Sequence, residues 1–483
     1  MRLPFLIRSL AILLLCGAHA FVARASHVLG TDLSYDYIGT AANPYQYRVT
    51  ARIFRDVSSL VTDNNVELTC GKDECGRALL GSFITNLVRI SSVPMSNSCA
   101  IGGGAGGGSM YEVITFEGTV QLPPARWTLS INFENRAFEV LNITQSGTQS
   151  IYVQALLDNS TGLVNSSPRF TNTRLFQVAG VQAQHYSVNA FDSEGDSLTY
   201  QLVQPLAKPA FSAACAAPVT GVIAPHFQLN AATGELATVS FGAVQQGRYA
   251  LAAQVNEYRR VNGSWQQIGS ITRDVTYNVV AGTNQVPAFT RVAPTGTPGT
   301  QLLGQIIPVN PGQAVSLTLT ATDPDAGQAL ILGSDVAGMV PGTVFQSVGN
   351  GQGIFTWQVP TTLPVGRYAF TVAATDNACP VYGSGVVTLT FLVTRQALGA
   401  RSGQSLAQLP HPMPFRDEVR FQLAGSSQQT VVIVDELGRT VQQLTTSPDG
   451  RVVWRPAANV SAGLYFARNL SGTQRTRLAY SGR

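Results

Sequence analysis

Tyr45, Tyr47, Val49, Ala51 and Ile53 alternate with Gln46, Arg48, Thr50 and Arg52, the period of two expected when one face of a strand is buried. Trp127, Leu129, Ile131 and Phe133 repeat the pattern against Thr128, Ser130, Asn132 and Glu134, after a Pro123-Pro124 break. Short runs of this kind, bounded by Gly, Pro, Asn and Ser, continue to the C-terminus, and no long segment carries helical periodicity. The pattern predicts an all-β chain of several β-sandwich modules in tandem.

A repeat divides the middle of the chain. Pro168-Arg169-Phe170 returns as Pro287-Ala288-Phe289, Gly234 as Gly353, and Gly247-Arg248-Tyr249 as Gly366-Arg367-Tyr368, each displaced by 119 positions. The acidic stretches Asp192 to Asp196 and Asp323 to Asp325 are offset by 131, so an insertion must be compensated near the alanine-rich segment around Cys215. Two homologous modules are expected, over 166–283 and 284–394, preceded by an N-terminal β domain over 26–165. The stretch 395–408, rich in Ala, Gly, Gln and Ser, reads as a linker, and 409–483 is long enough for one more small sandwich.

At the start, Arg2 and Arg8 precede a short apolar run, Leu10 to Cys16, followed by Ala18, Ala20, Ala23 and Ala25. This predicts a secretory signal peptide over 1–25 with cleavage before Ser26; Ala18-His19-Ala20 is the competing site. Lipidation at Cys16 is a minor alternative, because Leu15 stands where a small residue normally precedes such a cysteine. No later run reaches the ~18 apolar residues that a membrane helix needs, so no transmembrane helix is expected in the mature chain. Export leaves Cys70, Cys75, Cys99, Cys215 and Cys379 in oxidising surroundings, with Cys70 to Cys75 or Cys99 as the expected local disulfide. Zinc at Cys70 and Cys75 is disfavoured by four intervening residues and the lack of a nearby histidine.

Composition narrows the function classes. A chain of 483 residues implies about three domains, and its 31 basic and 27 acidic residues form no basic run, which argues against nucleic-acid binding. The cations are nearly all Arg; the lysines are Lys72 and Lys208. His27, His185, His226 and His411 sit in no nucleophile or metalloprotease motif. Gly102 to Gly108 lacks the Lys-Ser/Thr ending of a phosphate loop and reads as a surface loop. The chain is therefore read as a non-enzyme. The alternative is a secreted carbohydrate-binding or glycoside-hydrolysing protein, which would need Trp265 and Trp357 to line a groove with paired carboxylates.

The acidic turns are the candidate metal sites. Asp192, Glu194 and Asp196 offer hard oxygens on one tight turn, and Asp323 and Asp325 on the other, as calcium requires. Neither turn alone fills a shell of six to eight oxygens, so Asn256 and Glu257, or Asp376 and Asn377, would have to join. Polar turns without an ion are the competing reading.

Three resemblances complete the picture. Ser26 to Tyr35, Tyr47 to Asp56, Ile151 to Asn159 and Asn165 to Phe170 resemble the N-terminal region of exported Bacteroidetes surface proteins of the gliding-motility-associated type. Those relatives place Cys after the Arg-Asp pair matched by Arg55-Asp56, where Val57 stands here. The two repeats, with Asp-rich turns, Gly-Arg-Tyr and Ala374 to Asn377, look like cadherin-like or immunoglobulin-like modules. Asn284-Gln285-Val286-Pro287 lacks the acids of cadherin linkers. The last segment resembles a type A C-terminal sorting domain of the type IX secretion system in Pro412-Met413-Pro414-Phe415, Val432 to Arg439 with Gly438 and Arg439, and Ser461 to Phe466 with Gly463 and Tyr465. The family usually has Asn where Met413 stands. Together these imply a secreted or cell-surface scaffold for adhesion or ligand binding. Its implied partners are the outer-membrane secretion machinery and an unknown surface protein or polysaccharide.

Overall fold

A computed structural model describes residues 28–482 except 58–63, 73–80, 97–109, 135, 176, 180–183, 210–214, 240–244, 281–282, 298–299, 335, 337–339, 379–381, 395–405, 426, 437 and 471–473. The expected signal peptide, Cys75, Cys99, Cys379, the glycine run and most of the linker lie outside the described residues. The chain is all-β and forms two compact units, Met1–Gln396 and Ala397–Arg483.

In the first unit, seven strands open the chain: β1 Val28–Tyr37, β2 Gln46–Asp56, β3 Asn65–Gly71, β4 Phe83–Ser96, β5 Met110–Gln121, β6 Arg126–Phe133 and β7 Ile151–Asp158. They pair in the order β1-β2-β5-β4-β3-β6-β7, and the later strand Ser264–Val280 closes the ring by pairing with both ends. Its Gly269 to Ile271 face Leu157 to Ala155 of β7, and its Arg273 to Val275 face Asp32 to Gly30 of β1. The alternation read from the sequence fills the ring: Tyr47, Val49, Ala51 and Ile53 of β2, and Trp127, Leu129 and Ile131 of β6, are all buried.

The boundary expected at 165/166 falls inside this body. One apolar core runs from Val28 to Val279 and includes Phe170, Tyr186, Tyr200, Leu236 and Tyr277. The strands Gly247–Val261 and Ser264–Val280 are fifteen and seventeen residues long, against ten each for their repeat counterparts Gly366–Thr375 and Ser384–Val393. Gly247 pairs with Val279 and Gly366 with Val393, so the added residues extend the hairpin past Asn256 and Ser270 to its tip, while the edge that β1 occupies, Arg273 to Val275, has its counterpart in Val387 to Leu389. A buried charge network reinforces the junction. Asp32 on β1 accepts from Arg52 Nε at 2.9 Å and from Arg273 Nε at 2.9 Å, while Arg136 Nη1 donates to Asp274 at 2.7 Å.

The repeat persists in the topology. In both copies the last strand takes a parallel partner, Gln177–Ala179 against Asn278 to Val280 and Ile306–Val309 against Thr390 to Val393. The second copy is a sandwich of two four-stranded sheets around Phe355, Trp357, Phe370 and Phe391. The second unit is a sandwich of a three-stranded and a four-stranded sheet around Phe415, Trp454, Tyr465 and Leu478. One device recurs in all three: two residues after Gly247, Gly366 and Gly463, a tyrosine hydroxyl donates to the carbonyl four positions earlier. Tyr249 bonds Gln245 at 2.7 Å, Tyr368 bonds Pro364 at 2.9 Å and Tyr465 bonds Ser461 at 2.6 Å. Each ring is buried while its polar tip keeps a partner.

The cysteine expectation is corrected. Cys70 is a free thiol in the core of β3, and burial pushes it up to about 12, while Cys215 is disulfide-bonded. Cys70 alternates inward with Val66 and Leu68, so the strand period aims its sulfur into the core.

Candidate metal centre

Asp192, Glu194 and Asp196 lie on the turn before the Ser197–Val203 strand, which pairs with Gly247–Val261 so that Leu198 faces Glu257. That register carries Glu257 to the acidic turn. One oxygen from each of Asp192, Glu194, Asp196 and Glu257 lies within 4.8 Å of the others, and three of the four residues are buried. Among the described residues this is the one group of three or more acids, histidines or cysteines so converged.

The cage is built by donors on its outside. Asp192 Oδ1 accepts from the backbone N–H of Glu194 at 3.1 Å and of Asp196 at 2.8 Å. Ser166 N–H donates to both oxygens of Glu194 at 3.1 Å, and Asn165 Nδ2 donates to Glu257 Oε2 at 2.7 Å. Arg259 Nε donates to Asp196 at 2.8 Å and Nη2 to Asn165 Oδ1 at 2.7 Å. Two carboxylate oxygens, Asp192 Oδ2 and Glu257 Oε1, are buried with no hydrogen-bond partner. A buried orphan acceptor is costly; a proton shared between Asp192 and Glu257 would satisfy the pair at low pH, and a bound cation is the partner that would satisfy both in their ionised form.

The electrostatics show how strongly the ionised cage is opposed. Burial and then the Asp196 charge push Asp192 up to about 6; burial and then Asp192 push Glu194 up to about 7. Burial, followed by Asp192 and Asp196, holds Glu257 well above the usual carboxylate range. Four carboxylates against one guanidinium repel one another, and a divalent ion would relieve that repulsion. Gly269 faces Glu257 across the hairpin, and a Cβ there would stand 2.3 Å from Glu257 Oε2; glycine is what leaves room for the carboxylate.

The turn is also a joint between the repeats. Phe191 buries its ring in the second sandwich, 5.6 Å from Tyr368 and 6.3 Å from Phe370. Gly195, at φ +76°, sits where a Cβ would come 2.7 Å from the Tyr368 hydroxyl. The Tyr368 hydroxyl is raised by its burial and then by the charges of Asp192, Asp196 and Glu194. Thr371 of the second repeat donates to Asn189 of the first at 2.9 Å.

The second repeat preserves the wiring with a different charge set. Asn284 donates to Asp376 at 2.8 Å, Gln285 N–H to Asp325 at 2.8 Å, and Asp325 N–H to Asp323 at 2.8 Å. These are the bonds of Asn165, Ser166 and Glu194, transposed. Gly327 and Ala378 stand where Asp196 and Arg259 stand in the first copy. The amide of Gln328 takes over the arginine's task, donating to Asn284 at 2.8 Å and Asp325 at 3.2 Å. Asp196 and Arg259 thus enter and leave as a pair, and each copy keeps three carboxylates beyond that pair. Asp323 Oδ2 is again a buried acceptor without a partner, but both oxygens of Asp376 are occupied by the Gly383 N–H at 2.9 Å.

Asn256 and Asn377 do not join. Asn256 accepts from Gln267 at 3.0 Å on the opposite strand face from Glu257, and Asn377 accepts from the Ala329 N–H at 2.9 Å. Asn165 and Arg259 escaped the sequence reading, although the 119-residue spacing of Asn165 and Asn284 was a usable signal. The described histidines lie apart: His185 bonds Glu235, His226 bonds Tyr277 and His411 bonds Gln408. Of the two tryptophans proposed for a groove, Trp357 is 1% exposed in the core and Trp265 is 51% exposed. Among the sorting-motif residues, Phe415 is buried against Trp454 and Tyr480, Gly438 takes φ +77° in a tight turn, and Arg439 N–H bonds Asp435 at 2.9 Å. Pro412 and Pro414 lie on the segment after the Gln408–His411 strand, and Gly463 begins the strand that carries Tyr465.

No family model and no curated protein matches this chain. Among solved structures it is similar to Drosophila N-cadherin EC1-3, at 10% identity over 64% of this chain and 99% of that one, with a TM-score of 0.18. A three-domain Ig fragment of titin gives 10% identity over 66% and 99%, TM-score 0.16. The four N-terminal Ig domains of Dscam1 give 11% over 74% and 92%, TM-score 0.16. The sheets and registers above, rather than these scores, establish the chain as an all-β tandem of sandwich modules.

Proposed function

We propose that this chain is a non-catalytic, exported scaffold for adhesion or ligand binding, whose first repeat holds a calcium ion at its joint with the second. The observation that carries the reading is the pair of orphaned, buried oxygens on Asp192 and Glu257 inside a four-carboxylate cage. Asp192, Glu194 and Glu257 would hold the ion, and Asp196 is shared with Arg259. A hydrolase would need its acid and base across an accessible bond; here the converging carboxylates are largely buried and bound from outside. The bound ion would neutralise the cage and lock the Phe191 turn into the second sandwich. Millimolar calcium is expected to raise the melting temperature of the full mature chain and chelator to lower it, because an ion that binds only the folded state stabilises it. An unchanged melting curve would leave polar turns alone.

The second unit, in this proposal, directs type IX export, on the strength of the ordered blocks around Phe415, Gly438-Arg439 and Gly463 to Tyr465. Deleting 409–483 should leave the protein periplasmic while inner-membrane export continues. Full surface yield of the truncated chain would refute the assignment.

A further inference from the structure

The hairpin that brings Glu257 and Arg259 to the acidic cage continues beyond it. Its strands Gly247–Val261 and Ser264–Val280 are joined by Asn262 and Gly263, at φ +50° and +84°, the left-handed pair that a tight hairpin turn requires. The neighbouring strands stop short: on one flank pairing ends at Ser197 opposite Tyr258, on the other at Leu157 opposite Gly269. Among the described residues no strand pairs with either edge of the tip beyond these points.

Its two faces differ. Residues directly opposite in an antiparallel pair share a face, and the register sets Tyr258 against Gln267, Arg260 against Trp265, and Arg259 against Gln266. Arg259 turns to the cage. Tyr258, Arg260, Trp265, Gln267 and Asn256 form the opposite face. Trp127, Trp357 and Trp454 are at most 1% exposed, whereas Trp265 is 51% exposed. Arg260 Nε donates to the Gly263 carbonyl at 3.0 Å, which holds the guanidinium at the turn, on the strand position opposite Trp265. The amides of Gln267 and Asn256 are bonded to each other at 3.0 Å.

We propose that this face binds an acidic saccharide, with a sugar ring lying flat on the Trp265 indole and its carboxylate paired to Arg260. The reading rests on the chain being a ligand-binding scaffold and names what it binds. An exposed indole offers an apolar plane with a polar edge; a guanidinium offers a fork matched to a carboxylate; the amides and the Tyr258 hydroxyl suit sugar hydroxyls. Size decides against a protein partner: a stable protein interface needs about 800 Å² on each side, more than five side chains on a two-stranded tip present. The positive charge at Arg260 selects an acidic sugar over a neutral one.

The test uses the full mature chain on immobilised polygalacturonate and, as the neutral arm, dextran. Retention on polygalacturonate alone is expected, with Trp265→Ala weakening it at least tenfold and Arg260→Gln removing the preference for the acidic polymer. Trp265 is the one exposed indole of the four, so polygalacturonate should also protect the chain's fluorescence from acrylamide quenching. Unchanged melting temperatures would exclude misfolding of these surface variants. Equal binding by Trp265→Ala, or equal retention on both polymers, would overturn the proposal. Failure on polygalacturonate with Trp265-dependent capture of a surface protein would overturn it while the scaffold reading stands. Failure to retain any surface material would overturn the scaffold reading as well.

Discussion

Asp32 on the first strand and Arg273 on the closing strand, 241 positions apart, form a buried ion pair in which Arg273 Nε donates to Asp32 Oδ2 at 2.9 Å. Arg52 shares the same carboxylate, and the Arg273 guanidinium lies 4.3 Å from the centre of the Phe170 ring. The pair fixes the register at which β1 meets the first repeat. Arg273 also donates to the Asn172 carbonyl at 2.6 Å and Arg52 to that of Phe170 at 2.9 Å, so the start of the repeat is tied into the ring.

Replacing Asp32 with Asn should destabilise the first unit by about 3–5 kcal/mol, the usual cost of leaving a buried charge without its partner. Two arginines would be stranded. Denaturant unfolding of the full chain measures it, and a loss under 1 kcal/mol would show that the network is dispensable.

Acid should unfold the native protein partly through the same residue. Burial alone would raise the Asp32 carboxyl, but the charges and hydrogen bonds of Arg52 and Arg273 outweigh it and hold the group below its ordinary 3.8. A depressed carboxyl stabilises the fold at pH above the unfolded value and loses that contribution as pH falls through the folded one. Below about pH 4 stability should therefore fall in the wild type, with a shallower slope in Asp32→Asn.

The first repeat should not fold by itself. A fragment of 166–283 lacks β1 and β7, the partners of its longest strand, and exposes its side of a shared core. Circular dichroism is expected to show a native sheet for 26–394 and none for 166–283. A cooperative melt of the short fragment would contradict the shared core.

The two acidic sites should respond unequally to calcium. Asp192→Asn should abolish the calcium-induced rise in melting temperature, while Asp323→Asn should leave most of it, because the carboxylates converge within 4.8 Å only in the first copy. Calorimetry on the two variants distinguishes them, and equal losses would mean that the copies bind alike.

Cys70 should resist alkylation in the native state at pH 8 and react on unfolding without reductant, since its burial keeps the thiol protonated. Mass spectrometry of labelled peptides reads the result. Rapid native labelling would place the sulfur at the surface.

What the sequence determined by itself was local or periodic. The alternation of Tyr47 to Ile53 and of Trp127 to Phe133 decided which faces are buried, because a strand's side chains change face at every residue. The 119-residue register decided that Gly247 and Gly366 begin equivalent strands, and the equal spacing of Glu257 and Asp376 marked the acids that complete each turn. Only the tertiary structure decided which strands pair at long range. The edge that β1 takes, Arg273 to Val275, is equivalent to Val387 to Leu389 of the second repeat, and backbone hydrogen bonds make any free edge available to any extended segment, so β1 and β7 could occupy it without a local signal. The same pairing set the fate of single side chains. Trp357, opposite Val315 and Thr343 in the middle of a sheet, is enclosed, while Trp265, beyond the last neighbouring strand, is left in water.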